Sequence, residues 1–406
     1  MKICVLTHTF PRNKNDVAAA FMDGFCKSLV ENGNKVVLVT PFDEKFDRSG
    51  DPYRIITYKY IWPSKLHLLG YSRTMEGDIN LKKRSFFLLP FLLFFGFFTL
   101  LKTVNEEKVD LINVHWIIPN GLMALIVSKV TRVPFVVTLP GTDTYLAYRY
   151  KLFGWFARLI AQHSSGIISN SSWHLTRILQ LGVTGKKTAV ISYPTDVSAY
   201  RPLTSGVDSL RRYYGFTKDN LIVLAVGRLV YKKGFDYLIR AMQYIRKKYP
   251  HVRLVIGGEG DLRKIWENLA ERLDVADVVL FIGTIKRDEI ISYYNLADIM
   301  VAPSIVDKYG NVDGGPVTAF ESMACGKPQI VTNVLGVADV MKDGVNGFIV
   351  RQKDTRALAN ALERLITSTD LRKKMGEANK RLVQTYLSTK SIGEQYTAFF
   401  KQALKS

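Results

Sequence analysis

Residues 221–242 read LIVLAVGRLVYKKGFDYLIRAM. The apolar run Leu221–Gly227 has the length of a strand and no alternating polar face, the pattern of a strand buried on both sides in a parallel sheet. Arg228 leaves its end, and Lys233 follows five residues later in the next loop. The rhythm recurs downstream in Arg253–Gly258, Val278–Ile282, Ile299–Ala302 and Gln329–Thr332. Upstream it recurs in Ile3–Thr7, Lys35–Thr40, Leu111–Val114, Phe135–Thr138 and Gly166–Ser169. Helix-length stretches such as Ala18–Asn32 and Gly121–Thr131 lie between them. Strands alternating with helices predict parallel sheets with right-handed crossovers, here built twice. The expected fold class is α/β, with two doubly wound Rossmann-like domains facing across a cleft. The turn-rich stretch SYPTDVSAYRPLTSG marks the join, and residues 354–406 read as wholly helical. Domains are expected at 1–195 and 196–385, with a C-terminal helix, 386–406, returning to the first. Ligands of such sheets bind at the strand C-terminal ends.

A chain of 406 residues, 47% hydrophobic and 23% charged, is globular in composition and too long for one compact core. Cys4, Cys26 and Cys325 are odd in number and lack C-x-x-C spacing, so neither a disulfide framework nor a zinc site is expected. A reducing compartment follows. The opening MKICVLT leads into a strand rather than the apolar core of a signal peptide, so secretion is not expected. The net charge is +20, and residues 1–200 carry 24 basic against 14 acidic residues, or +10. The excess is therefore spread along the chain. With no arginine-rich arm, zinc-finger spacing or RNP-like aromatic motif, it points to an anionic membrane surface rather than to nucleic acid.

Residues 86–101, FFLLPFLLFFGFFTLL, follow Lys82-Lys83-Arg84. The run is shorter than the ~20 residues of a spanning helix, and Pro90 and Gly96 interrupt it. A helix buried within a domain is expected. An exposed face docking on a bilayer is the sharper alternative, and a membrane anchor comes third.

The chemistry concentrates in residues 313–329, DGGPVTAFESMACGKPQ. Pro316 suits the first turn of a helix running to about Cys325, where Gly326 stops it. The approach through Gly314 and Gly315, with the amides of Gly315, Val317 and Thr318, makes an anion-binding helix end that a ligand can approach closely. Asp313 and Glu321, eight residues apart, are placed to accept hydrogen bonds from two polyols. Arg228 and Lys233 can clamp a diphosphate, one as a fork and the other as a point charge, and can stabilise it as it leaves. Phosphate-binding amides, cations and two hydroxyl-binding carboxylates together are what a sugar nucleotide requires.

Five further blocks accompany these residues: VGRLVYKKGFDYLIRAM, VIGGEGDLR at Val255–Arg263, FIGTIKRDEI, ADIMVAPS and DGVNGFIV. With DGGPVTAFESMACGKPQIV they run in one order over most of residues 221–351, and they resemble the retaining glycosyltransferases of family 4, which have the GT-B fold. The resemblance implies an enzyme that moves a hexose or N-acetylhexosamine from a nucleotide diphosphate-sugar donor to an acceptor. It implies that Arg228 and Lys233 hold the diphosphate, Glu321 the donor ribose and Asp313 the donor sugar, with main chain near Ile285 meeting the base. The family pattern is usually Glu-x7-Glu, and here the first acid is the shorter Asp313.

The N-terminal half resembles the family more loosely, and the resemblance makes it the acceptor side. Its first loop, FPRNKNDVAAAF at Phe10–Phe21, lacks the glycine pair many members carry. VHWIIPNG at Val114–Gly121 places His115 at a strand end, expected to face the cleft. In VTLPGTD, Val137–Asp143, Pro140 stands where many relatives have a histidine. Either His115 or Asp143 substitutes, giving a catalytic set of Asp313, His115 and Asp143, or the reaction needs no protein base there. In the second case the departing phosphate takes the acceptor proton on the same face, and the protein supplies positioning and charge. No Asp-x-Asp cluster stands at a strand end, so neither metal nor other cofactor is expected. The leading expectation is a lipid-linked acceptor, or a precursor of cell-surface polysaccharide or lipopolysaccharide, used at the inner face of the cytoplasmic membrane. A soluble small acceptor, a non-catalytic sugar-nucleotide-binding protein and a nucleic-acid binder remain the alternatives.

Overall fold

The computed structural model describes residues 1–14, 16, 18–69, 75–76, 80–81, 83–204 and 206–405. Lys82, the side chains of Lys83, Arg84 and Phe86, two residues of the first loop (Asn15 and Val17) and Ser205 of the join lie outside the description. The chain divides into two units, Met1–Pro194 with Thr389–Ser406, and Thr195–Ser388.

The first unit is built on a seven-stranded sheet in the order Arg54–Tyr58, Lys35–Pro41, Lys2–Leu6, Leu111–His115, Phe135–Leu139, Gly166–Ser169, Thr188–Val190. Every pairing in it is parallel. Leu111–His115 and Phe135–Leu139 are buried along their whole length, as strands covered on both faces must be. The second unit repeats the scheme with six parallel strands: Val279–Gly283, Val252–Gly257, Leu221–Val226, Ile299–Ala302, Gln329–Thr332, Gly347–Val350. In both sheets the strand order reverses beside the first strand. This is the topological switch point, outside whose carboxyl ends doubly wound sheets open a crevice.

The expected strands all form, but Arg54–Tyr58, Thr188–Val190 and Gly347–Val350 were not anticipated, nor was the short antiparallel pair Met75–Glu76 and Asn80–Leu81. The first two of these lie at the edges of the sheet and are only partly buried, so no apolar run announces them. The tail is helical as read, in Thr355–Ile366, Thr369–Leu382, the π turn Val383–Leu387 and Thr389–Ala403.

Residues 86–101 depart from expectation. One helix, Lys83–Glu107, runs through both Pro90 and Gly96. Pro90 sits on the exposed side, where the carbonyl it leaves unbonded can reach solvent. Gly96 lies on the inner side, where a Cβ would come within 2.6 Å of Met123 Sδ and 2.9 Å of the Tyr58 hydroxyl. Its missing side chain is what lets the helix seat on its neighbours. Leu92, Leu100 and Val104 are buried there, whereas Phe87, Phe91, Phe94, Phe95 and Phe98 are exposed. The helix is thus not buried within the unit but covers it with one stripe. Helix Ile117–Thr131, which packs on it, exposes Ile126 and Val130, and Lys151–His163, which packs on Ile117–Thr131, exposes Leu152 and Trp155. The segment Phe87–Glu107 is long and apolar enough to cross a membrane by length and composition.

Candidate functional site

In the second unit the strands flanking the switch point, Leu221–Val226 and Ile299–Ala302, are direct neighbours. The loops at their carboxyl ends are tied together, since the Ile305 amide donates to the Lys232 carbonyl at 2.8 Å. This tie brings residues eighty positions apart into contact: the Lys233 ammonium is hydrogen-bonded to Asp313 Oδ2, and both side chains are mostly shielded. The Lys233 stem lies across Gly227, where a Cβ would stand 2.9 Å from Lys233 Cε. Gly227 in turn donates to the Gly257 carbonyl at 2.9 Å. Gly258 has φ +140°, and a Cβ on it would fall 1.9 Å from the Gly227 carbonyl oxygen. No side chain fits there, which gives the GGEG run a packing role at the strand ends. Burial alone would raise the Asp313 pKa, but the charges of Lys233, Lys232 and Arg228 outweigh it and hold the carboxyl below its ordinary value. Asp313 is therefore ionised within a cationic cluster.

Helix Val317–Ala324 begins after Pro316, and Gly326 follows with φ +74°. The first-turn amides, Val317 and Thr318 among them, have no preceding helical turn to bond to, and the Gly336 amide anchors the approach by donating to Gly314 O at 2.9 Å. Glu321 is almost fully buried on this helix, and the Tyr294 hydroxyl donates to its Oε2 at 2.7 Å. Burial raises the Glu321 pKa, while the hydrogen bond from Tyr294, the charge of Arg287 and a second hydrogen bond from Tyr200 oppose the rise. Two tyrosine hydroxyls thus hold a buried carboxylate in fixed orientation. Ile285 lies on Gly257, with Cδ1 2.5 Å from where a Cβ would be, and so adjoins the end of Val252–Gly257, the strand paired with the one that leads to Lys233.

The sequence reading missed Lys232, Tyr200, Tyr294 and Arg287. Lys232 and Arg287 stand inside the quoted motifs VGRLVYKKGFDYLIRAM and FIGTIKRDEI, and Tyr200 inside the turn-rich join, but Tyr294 lies in none of the quoted stretches. A tyrosine that supports a carboxylate from another element has no local spacing to betray it.

Two expectations in the first unit are corrected. His115 does not face an open site: it is fully buried, with Nδ1 2.9 Å from the Tyr193 hydroxyl and Nε2 2.9 Å from Asn113 Oδ1. Asn113 Nδ2 donates to Thr138 Oγ1 and the Val136 carbonyl, so its Oδ1 accepts and the His115 proton sits on Nε2. Burial pushes His115 down to about 3, so the ring is neutral and occupied. Asp143 is likewise buried, accepting from the Ile117 amide at 2.7 Å and the Gly141 amide at 3.2 Å. Burial pushes it up to about 6 against those amides. It fastens two loops together, and both side chains are engaged by protein partners. The Pro140 carbonyl accepts from Asn170 Nδ2 at 3.0 Å.

The model of glycosyl transferases group 1 matches residues 207–382. The model of glycosyltransferase family 4 matches residues 18–199. An uncharacterised glycosyltransferase of Methanocaldococcus jannaschii is 24% identical over 100% of this chain and 99% of its own. The N-acetyl-alpha-D-glucosaminyl L-malate synthase of Bacillus anthracis is 22% identical over 93% of this chain and 92% of its own. Among solved structures, Anabaena HepE in complex with UDP superposes with a TM-score of 0.74 at 20% identity, covering 99% of this chain and 100% of that one.

Proposed function

The chain belongs to the group 1 glycosyltransferases and has their two-domain α/β GT-B fold, and from that premise we propose that it is a retaining transferase of a hexose or N-acetylhexosamine. The donor is a nucleotide diphosphate-sugar bound at the switch point of the second unit. The acceptor is lipid-linked or a precursor of cell-surface polysaccharide. The observation that carries the donor assignment is the Lys233–Asp313 pair beside Lys232 and Arg228, at the strand ends next to helix Val317–Ala324. The UDP held by HepE supports a uridine nucleotide as the first to try. The capsular polysaccharide glycosyltransferase CapM of Staphylococcus aureus, among the chain's relatives, supports the acceptor class.

In this reading the arriving diphosphate gives Lys233 a second anion, so that Asp313 is released to accept a hydroxyl of the donor sugar. Arg228 and the first-turn amides share the phosphate charge, and Glu321 takes the ribose hydroxyls. The bond from the sugar's anomeric carbon to the diphosphate breaks as a bond from that carbon to the acceptor oxygen forms on the same face. The acceptor's proton passes to the departing phosphate oxygen. With His115 and Asp143 occupied, the protein contributes position and positive charge rather than a base, and no metal enters the scheme.

The exposed stripe Phe87, Phe91, Phe94 and Phe98, spaced by four, three and four residues, supports docking on an anionic membrane. Lys129, Arg132, Lys151 and Arg158, exposed on or beside the two neighbouring helices, supply the charge. Three free, buried cysteines agree with a cytoplasmic location at the inner face of that membrane. The test of function is turnover: Lys233→Ala and Glu321→Ala should each abolish transfer in a chain that still unfolds cooperatively, and near-normal turnover in either overturns the donor site.

A further inference from the structure

The first unit has its own switch point, between the paired strands Lys2–Leu6 and Leu111–His115. Three side chains with no part in the scheme above gather at its carboxyl ends. His8 follows the first strand by two residues and remains partly exposed. Trp116 follows the second strand directly, also partly exposed, with its ring centroid 4.8 Å from that of His8. Asn120, wholly buried, stands at the start of the next helix just past the kink at Ile118, where its Nδ2 donates to the His115 carbonyl at 2.7 Å and meets His8 Nδ1 at 3.1 Å.

The amide orientation is forced. Turned over, Asn120 would set its oxygen 2.7 Å from the carbonyl oxygen of His115. His8 Nδ1 therefore accepts, and the imidazole carries its proton on Nε2, directed away from Asn120. Asn120 Oδ1 is buried and has no donor among the described residues. Such an atom normally finds a protein partner or a bound ligand. Trp116 is held at φ +62° and ψ +102°, a region that non-glycine residues rarely occupy, by its amide's bond to Thr138 O at 3.1 Å and by Asp143 on the following amide. The strain fixes an aromatic face beside an N–H donor and an unfilled acceptor.

We propose that His8, Trp116 and Asn120 form a saccharide subsite of the first unit, in which a pyranose ring lies on Trp116, an oxygen of that sugar accepts from His8 Nε2, and Asn120 Oδ1 receives a hydroxyl or its bridging water. An aromatic face covers the apolar C–H face of a pyranose, and the two polar atoms read its oxygens. That this sugar is the acceptor's rests on the transferase reading; the subsite itself does not.

The test uses the full chain on an array of immobilised glycans ending in glucose, galactose, mannose and N-acetylglucosamine. The parent chain should be retained by at least one terminal sugar. His8→Ala and Trp116→Ala should lose about tenfold in apparent affinity, the worth of one good hydrogen bond or apolar contact. His8→Gln, whose amide still donates, should stay within about threefold. If His8→Ala melts early, Trp116→Phe against Trp116→Leu decides, since only phenylalanine keeps an aromatic face. A parent chain that retains no glycan, or variants that bind as the parent does, overturns the subsite. UDP binding, read separately by thermal shift, tests the donor site alone, so the two readings fail independently.

Discussion

Lys233 and Asp313 neutralise one another, and their pairing sets what each substitution should do. Lys233→Ala strands a shielded carboxylate and removes the diphosphate's nearest cation, so it should abolish transfer. Glu321→Gln separates stability from function. Burial raises the Glu321 pKa, so the ionised form costs stability at neutral pH, a cost that vanishes as the pH falls below the carboxyl's ordinary value. The amide should raise the melting temperature by about 1–3 °C while losing most transfer activity. The signs differ at His115. Its folded-state pKa is pushed down to about 3 from 6.5, so the stability that the neutral ring contributes is complete above 6.5 and is lost as the pH falls toward 3. His115→Gln should flatten the acid limb of a melting-temperature profile and keep transfer within about threefold, whereas loss of a true general base costs about a hundredfold or more. The cations and carboxylates of the proposed donor site could be singled out in the sequence because their spacing is local to two strand-end loops and the helix that follows one of them. Whether His115 is open or sealed depends on Tyr193 and Asn113, and no spacing in the sequence reports that.

Strands and loops carried most of the fold in the sequence. Buried parallel strands such as Leu221–Val226 announce themselves as unbroken apolar runs, while edge strands such as Arg54–Tyr58 and Thr188–Val190 do not. The helix Lys83–Glu107 was misread in part, because Pro90 and Gly96 look like breakers until their sides are known. Proline breaks a helix where its missing amide is buried, and Pro90 faces out. Gly96 is a seat, and Gly96→Leu should destabilise the chain by about 1–3 kcal/mol in chemical denaturation through its clash with Met123 and Tyr58. Gly258→Ala should be worse, about 3 kcal/mol or more, since a left-handed backbone and the fixed Gly227 carbonyl both resist a Cβ. Helical melting unchanged in both variants would contradict these packing assignments.

Two units with the same outward-then-back strand order place a switch point in each, the second holding the proposed donor site and the first holding His8, Trp116 and Asn120. The net charge of +20 suits both a diphosphate and an anionic bilayer, and salt distinguishes a docked chain from an inserted one. The chain should pellet with vesicles of 70% phosphatidylcholine and 30% phosphatidylglycerol at low salt, and about tenfold less in 0.5 M salt or as Phe91→Ser/Phe94→Ser. Pelleting that ignores both changes would mean that the aromatic stripe is not the docking face. The chemistry proposed, however, stands on the proposed donor site, and the most direct measurement is the melting temperature with UDP-, GDP- and ADP-sugars added in turn. A ligand at a hundred times its Kd stabilises the fold it binds by about 2.7 kcal/mol. One nucleotide sugar should raise the melting point of the parent chain and leave Lys233→Ala and Glu321→Ala where they were. An equal rise in those variants, or none in the parent with any of the three, would contradict the account.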